Sequence, residues 1–120
     1  MNLIGAELPL VQPGLVEISL PYRRELTQQD GYLHAGIITT IADSAAGYAA
    51  FSLMPAGARV LSVEFKVNLL RPASGEQFVA RAEVVKAGKT LTVVRSDVFG
   101  IQDEQRTLVA TLQGTMMCVR

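Results

Sequence analysis

The 120 residues are 49% hydrophobic and 18% charged, enough for one compact domain, residues 1–120, with a core of its own. Eleven basic and eleven acidic side chains cancel to a formal charge of zero and no Lys/Arg cluster appears, so neither nucleic acid nor any partner chosen by bulk charge is expected. The single cysteine, Cys118, excludes an internal disulfide and a Cys-pair zinc site, so no metal is expected and a reducing cytoplasm fits best.

The opening MNLIGAELPLVQPGLVEIS lacks a positive n-region and places Glu7, Pro9 and Pro13 where a signal peptide would be apolar, so no export is expected. From Gly14 to Pro21, GLVEISLP alternates as a half-buried strand, and Tyr22 to Leu33 is polar and turn-like. Ala35 to Leu53 has too few β-branched residues for a strand of that length and closes at Met54-Pro55-Ala56-Gly57, which predicts one long helix. The segment approaches membrane-spanning length, but Asp43 and its many Ala, Gly, Thr and Ser residues argue for a helix buried in protein, with no membrane.

Beyond Gly57 the period changes to two. Leu61, Val63, Phe65, Val67 and Leu69 alternate with Ser62, Glu64, Lys66 and Asn68, and Arg71-Pro72-Ala73-Ser74-Gly75 ends that strand. Phe78 to Val84 forms the next run, Lys86-Ala87-Gly88-Lys89 a hairpin-like break, Thr90 to Phe99 a third strand, Gly100 to Glu104 a turn, and Thr107 to Val119 the last strand. The order is β, α, then four β. A helix without a charged face must be covered nearly all round, and four or five twisted antiparallel strands can curl about it, so the expected fold is α+β, a curved antiparallel sheet wrapped around one long central helix. The hydroxyl-rich helix surface and the unmatched positions on Leu61 to Leu70 point to a second copy that completes the packing, a homodimer by default.

His34 lies at the predicted helix start, where free N–H groups and the positive end of the helix dipole favour an oxyanion, and Ala35 and Gly36 are small enough to let a carbonyl approach. Asp43 is nine residues further on, about 13 Å along the axis, out of reach of its own helix start. Two helices packed antiparallel about a twofold axis would bring Asp43 of one chain to the His34-Ala35-Gly36 turn of the other, giving two sites per dimer. A carboxylate in apolar surroundings is desolvated and thereby more basic, which suits general-base or nucleophilic work on an acyl group.

The stretch Gln28 to Ala50, QQDGYLHAGIITTIADSAAGYAA, resembles the signature of hotdog-fold acyl-CoA thioesterases of the phenylacetyl-CoA and 4-hydroxybenzoyl-CoA branch, and the likeness extends through VLSVEFKVNLLRPA (60–73) and VVKAGKTLTVVRSDVF (84–99). The resemblance implies a hotdog fold, an acyl-CoA substrate, a homodimer or dimer of dimers, and no cofactor. It implies that Asp43 attacks the thioester or activates water, that His34 and Gln28 hold the thioester or the water, that the Ala35 N–H with Gly36 beside it is the oxyanion donor, and that Ser62 is a hydroxyl near the carboxylate. Arg71, Lys86, Gly88 and Lys89 are implied contacts of the CoA phosphates. The His-Gly-Gly turn of the family reads His34-Ala35-Gly36 here, and Gly47 leaves no side chain where some relatives carry a hydroxyl.

Taken singly, each residue has a plainer reading. His34 could cap a helix, Asp43 could cap backbone groups or pair with a partner chain, Ser62 and Gln28 are ordinary polar positions, and Arg71, Lys86 and Lys89 are ordinary solvated charges. Cys118 reads as a packed strand residue, and Glu64 and Lys66 as exposed cross-strand pairs. Two functional rivals remain on the same fold: an acyl-CoA binding or sensing module without turnover, and a hydratase or dehydratase. Tyr32, Tyr48 and Phe51 near the motif suit either an aryl or a medium-length acyl group.

Overall fold

The computed structural model describes residues 5–120, so the first four residues of the segment read as carrying no export signal lie outside it. Six strands form one antiparallel sheet in the order β1-β2-β4-β5-β6-β3: β1 is Glu7–Gln12, β2 Leu15–Pro21, β3 Arg59–Leu69, β4 Gln77–Ala87, β5 Leu91–Gln102 and β6 Gln105–Val119. One helix, α1 (Ala35–Phe51), lies against the inner face of that curved sheet, as expected for a hotdog fold. No helix among the described residues is long and apolar enough to cross a membrane.

The core is built where α1 meets the sheet. Ile38, Ile41, Ala42, Ala45, Ala46, Ala49 and Ala50 form the buried stripe of the helix, with the three- and four-residue spacing of one helical face. They pack with the inward residues of the strands, among them Val16, Ile18 and Leu20 of β2, Phe78, Ala80 and Ala82 of β4, Val94 and Val98 of β5 and Leu112 and Met116 of β6. Alanines on the helix and small residues on β4 let the sheet close onto it, and each large buried aliphatic side chain contributes about 1.5–3 kcal/mol.

Four sequence expectations are corrected. The sheet has a sixth strand: Pro9 argues against a strand over Glu7–Gln12, but β1 is an edge strand, where a missing N–H breaks no ladder bond. The helix ends at Phe51, because Ser52 turns its hydroxyl onto the Ala49 carbonyl and accepts a bond from the Gly14 N–H. The break after β4 falls at residues 88–90, since pairing with β5 extends to Ala87. The helix is also not covered all round. A stripe through Gly36, Thr40 and Tyr48 to Phe51 faces outward, with Asp43, Ser44 and Gly47 half-exposed along it, and Thr39 and Thr40 turn their hydroxyls back to the carbonyls of Ala35 and Gly36.

A bulge in β3 decides which side chains meet the helix. Ser62 pairs with Met116 but Glu64 pairs with Thr115, so Val63 is the extra residue and the alternation changes face there. Val60, Ser62, Phe65, Val67 and Leu69 therefore share the helix side, in register with Cys118, Met116, Gly114, Leu112 and Ala110, whereas Leu61 faces away. The uninterrupted alternation read from the sequence would have set Ser62 opposite Phe65. Glu64 and Lys66 stand exposed on the outer face against Thr115 and Gln113, as neutral cross-strand pairs.

Candidate active site

The segment before α1 is shaped to present the helix start. A 3-10 turn (Arg24–Leu26) leads into a small loop closed by the Thr27–Leu33 bridge and by the Gln28 N–H to Tyr32 carbonyl bond of 2.9 Å. The Leu33 N–H then bonds to the Ala73 carbonyl and the His34 N–H to the Leu26 carbonyl, which fixes the direction in which the helix begins.

His34 is the N-cap. Its backbone is extended (φ −62°, ψ 136°), its carbonyl accepts from the Ile37 and Ile38 N–H groups, and its Nδ1 accepts from the Gly36 N–H at 2.9 Å. A side chain at residue 36 would bring a Cβ to 3.1 Å from that Nδ1, so glycine there leaves room for the imidazole. Because Nδ1 accepts, the neutral ring carries its proton on Nε2 and offers an outward N–H donor. Gly36, expected beside the oxyanion donor, thus spends its own N–H on the histidine. The Ala35 N–H finds no acceptor among the described residues, as befits the first helical position. Among the described residues, positive φ angles outside glycine occur only at Asp103 and Glu104 of the β5–β6 turn, so alanine at residue 35 carries no backbone strain.

Ala35 opens into a cavity of about 380 Å³ that is also lined by Gln28, Leu69, Leu70 and Arg71, with Leu33, Ile38, Pro72, Ala73 and Val109 completing its wall. The Arg71 guanidinium donates to the Leu108 carbonyl at 2.8 Å, so its charge is anchored at the edge of this donor half.

Asp43 belongs to a second cavity. Half-buried on α1, it accepts a 3.0 Å hydrogen bond from the Ser62 hydroxyl at Oδ1, which holds the carboxylate in one orientation. No cation pairs with it among the described residues, so Oδ2 remains available to a substrate or a water. This cavity measures about 310 Å³ and is lined by Asp43, Ser44, Gly47, Tyr48, Val60, Ser62 and Met116. The structure thus joins Asp43 with Ser62, and Gln28 with Ala35 and Arg71, but keeps the two groups apart: Ala35 to Asp43 is eight residues, about 12 Å along the helix.

Lys86, Gly88 and Lys89 line neither cavity. They sit at the β4–β5 turn, where the Gly88 N–H bonds to the Leu91 carbonyl, at the opposite end of β4 from Arg71. Tyr32, noted near the motif, lies in a separate surface depression with Tyr22 and Asp30. Val60 and Met116 escaped the sequence reading because either could face in or out, and only the β3–β6 register and the bulge show that both border the carboxylate. Among the described residues no group of three or more His, Cys, Asp or Glu side chains could hold a metal ion.

A single helix in a curved sheet, with a carboxylate on its third turn and a free N–H at its start, defines a class, and comparison with known proteins identifies it. The family model described as the thioesterase superfamily matches residues 30–107, and the chain belongs to that superfamily and is a thioester hydrolase. The match spans His34, Ala35, Gly36, Asp43, Ser62 and Arg71, and stops short of Gln28 and Met116. A thioesterase family protein from Silicibacter pomeroyi, solved as a crystal structure, is 53% identical, with 99% of this chain and 88% of that one covered at a TM-score of 0.97. Human acyl-coenzyme A thioesterase 13 is 33% identical over 87 residues, which is 72% of this chain and 61% of that protein. The 1,4-dihydroxy-2-naphthoyl-CoA hydrolase of Listeria monocytogenes is 29% identical over 90 residues, 75% of this chain and 73% of the relative. Membership of a thioesterase superfamily decides for hydrolysis over the hydratase and binding-module rivals.

Proposed function

We propose that the protein hydrolyses an aryl- or medium-chain acyl-CoA to the free acid and CoA at two sites per homodimer. Each site takes Asp43 and Ser62 from one copy and Gln28, His34 and Ala35 from the other. The observation that carries this reading is the course of β3. Its first half borders the carboxylate cavity through Val60 and Ser62, and its end, Leu69 with Leu70 beyond it, borders the Ala35 cavity.

The β3 strand is also an open edge. Leu61, Val63, Phe65 and Leu69 are exposed along eleven residues, whereas the other edge, β1, is six residues long, irregular between Glu7 and Leu10, and interrupted by Pro9. Soluble proteins protect long apolar edges, and pairing with a second β3 is the direct way to do so. Antiparallel pairing about a twofold axis near Lys66 sets residue 62 of one strand opposite residue 70 of the other, which places the carboxylate half of each copy beside the donor half of its partner. The roughly 26 Å between residues 62 and 70 along the strand becomes a cross-subunit contact.

In such a site the Ala35 N–H donates a hydrogen bond to the carbonyl oxygen as negative charge develops on it, while Nε2–H of His34 and the Gln28 amide hold the thioester or the attacking water. Asp43 either takes a proton from water as it adds to the acyl carbon, or adds itself and is released by water from the mixed anhydride. In both routes the C–S bond breaks, the thiolate leaves with its electron pair, and the acid forms from the oxygen of water. Arg71, at the rim of the donor half, is the residue this reading assigns to the CoA phosphates, with Lys86, Gly88 and Lys89 of the adjoining copy as further contacts.

Two disabled variants test the shared site. Asp43→Asn removes the carboxylate. Ala35→Pro removes the oxyanion donor at the first helical position, where proline is tolerated, and His34 before it already has the extended backbone that proline demands. Each variant alone is expected to lose roughly 100-fold or more in thiol release. Reassorted together at equal amounts, half the dimers are mixed and each holds one intact site of two, so about one quarter of wild-type activity returns. A mixture that stays at the level of the separate variants refutes a site shared between copies.

A further inference from the structure

We infer that Gly47 sets the width of the acyl slot: the acyl group of the thioester lies across Gly47, against Tyr48, Val60 and Met116, and a side chain at residue 47 would stand in its place. The inference rests on the thioesterase reading and narrows it to the residue that discriminates among acyl groups.

Gly47 is in the interior of α1, where glycine forms a helix less readily than alanine. Nothing in the chain demands it. Its φ is not in the left-handed region, and a Cβ built there would meet nothing within 4 Å among the described residues beyond its chain neighbours and the helix's own backbone. Other glycines differ: a Cβ at Gly114 would come to 3.0 Å from the Glu64 carbonyl oxygen and from the Phe65 Cβ, and one at Gly36 would press on His34. The chain's own packing therefore explains Gly36 and Gly114 and leaves Gly47 unexplained, so the space above it serves something outside the chain.

The cavity shows what. Gly47 lies four residues after Asp43, just over one helical turn and about 6 Å along the same face. It borders the same 310 Å³ space as the carboxylate, whose remaining wall is made by Tyr48, Val60 and Met116 with the hydroxyl residues Ser44 and Ser62. A carbonyl carbon within reach of Asp43 has the acyl carbons that follow it about one turn away. The slot is large enough to use: a cavity of about 150 Å³ holds a benzene ring. A methyl or isopropyl group projecting from residue 47 subtracts width where those carbons lie, and an acetyl group, which ends before that point, needs none of it.

The test compares wild type, Gly47→Ala and Gly47→Val in CoA thiol release from acetyl-CoA, hexanoyl-CoA and phenylacetyl-CoA, with light scattering to record the oligomeric state. The ratio of kcat/KM for acetyl over phenylacetyl is expected to rise about 10-fold for alanine and about 100-fold for valine, since each misfitting carbon group in an apolar pocket costs on that scale. A uniform loss for all three substrates, or no change in the ratio, overturns the proposal. So does dissociation of the oligomer in Gly47→Val, which would show that a second copy rather than the acyl group lies on Gly47. Should the wild type release thiol from none of the three, the thioesterase reading falls separately. The affinities of the S-acetonyl and S-phenacyl thioethers of CoA then decide the slot, selective loss of the phenacyl analogue in Gly47→Val upholding it and equal or no loss overturning it.

Discussion

Replacing Ser96 with alanine is expected to stabilise the protein. Ser96 sits on the inner face of β5, fully buried, in register with the buried Ala82 of β4 and Leu112 of β6, and its hydroxyl has no hydrogen-bond partner among the described residues. A buried hydroxyl without a partner costs about 1–3 kcal/mol relative to its solvated state in the unfolded chain. Removing one oxygen from a close-packed core also forfeits its dispersion contacts and leaves a void smaller than a methyl group, an opposing cost of up to about 1 kcal/mol. The net expectation is a gain of about 1 kcal/mol, read as a rise in Tm of roughly 3–5 °C for a domain of this size. Thermal unfolding must be followed by circular dichroism at one fixed protein concentration, because an oligomer's midpoint depends on it. Ser96→Val separates polarity from volume: it is apolar too, but adds bulk between Ala82 and Leu112 and is expected to cost about 1–3 kcal/mol by overpacking. A lower Tm for Ser96→Ala would refute the reasoning, since it would mean that the hydroxyl contributes stability where it lies.

Two further predictions concern the site and its assembly. Ser62→Ala removes the donor that orients Asp43 and is expected to lower kcat about 10-fold, equivalent to about 1.4 kcal/mol of transition-state stabilisation, with KM within about twofold. Steady-state kinetics showing an unchanged kcat would mean that the 3.0 Å bond plays no part in positioning the carboxylate. Phe65→Lys places a charge on the open β3 edge and is expected to give a monomer in light scattering, with thiol release reduced to background because the donor half then lacks a carboxylate. A dimeric, active Phe65→Lys would refute pairing through β3.

The sequence by itself determined the helix, five of the six strands and the residues that stand out as candidates for chemistry. Ala35 to Phe51 is a helix because it is rich in alanine, poor in β-branched residues and stopped by the Pro55-to-Gly57 turn, and the later strands announce themselves by a period of two. His34 and Asp43 stand out because one is the only histidine and the other the only charge in the most apolar stretch. Those are properties of neighbours along the chain, and local sequence carries them. Tertiary structure decided what depends on partners far away in sequence. Pro9 is compatible with β1 only because that strand lies at an edge. Ser62 reaches Asp43 only because Val63 bulges out of the β3–β6 ladder, and Val60 and Met116 border the carboxylate only through that register. Which β3 side chains border each of the two cavities, Val60 and Ser62 at one end and Leu69 at the other, is likewise a matter of strand pairing, which is set by hydrogen bonds between segments about fifty residues apart and leaves no local signature in either of them.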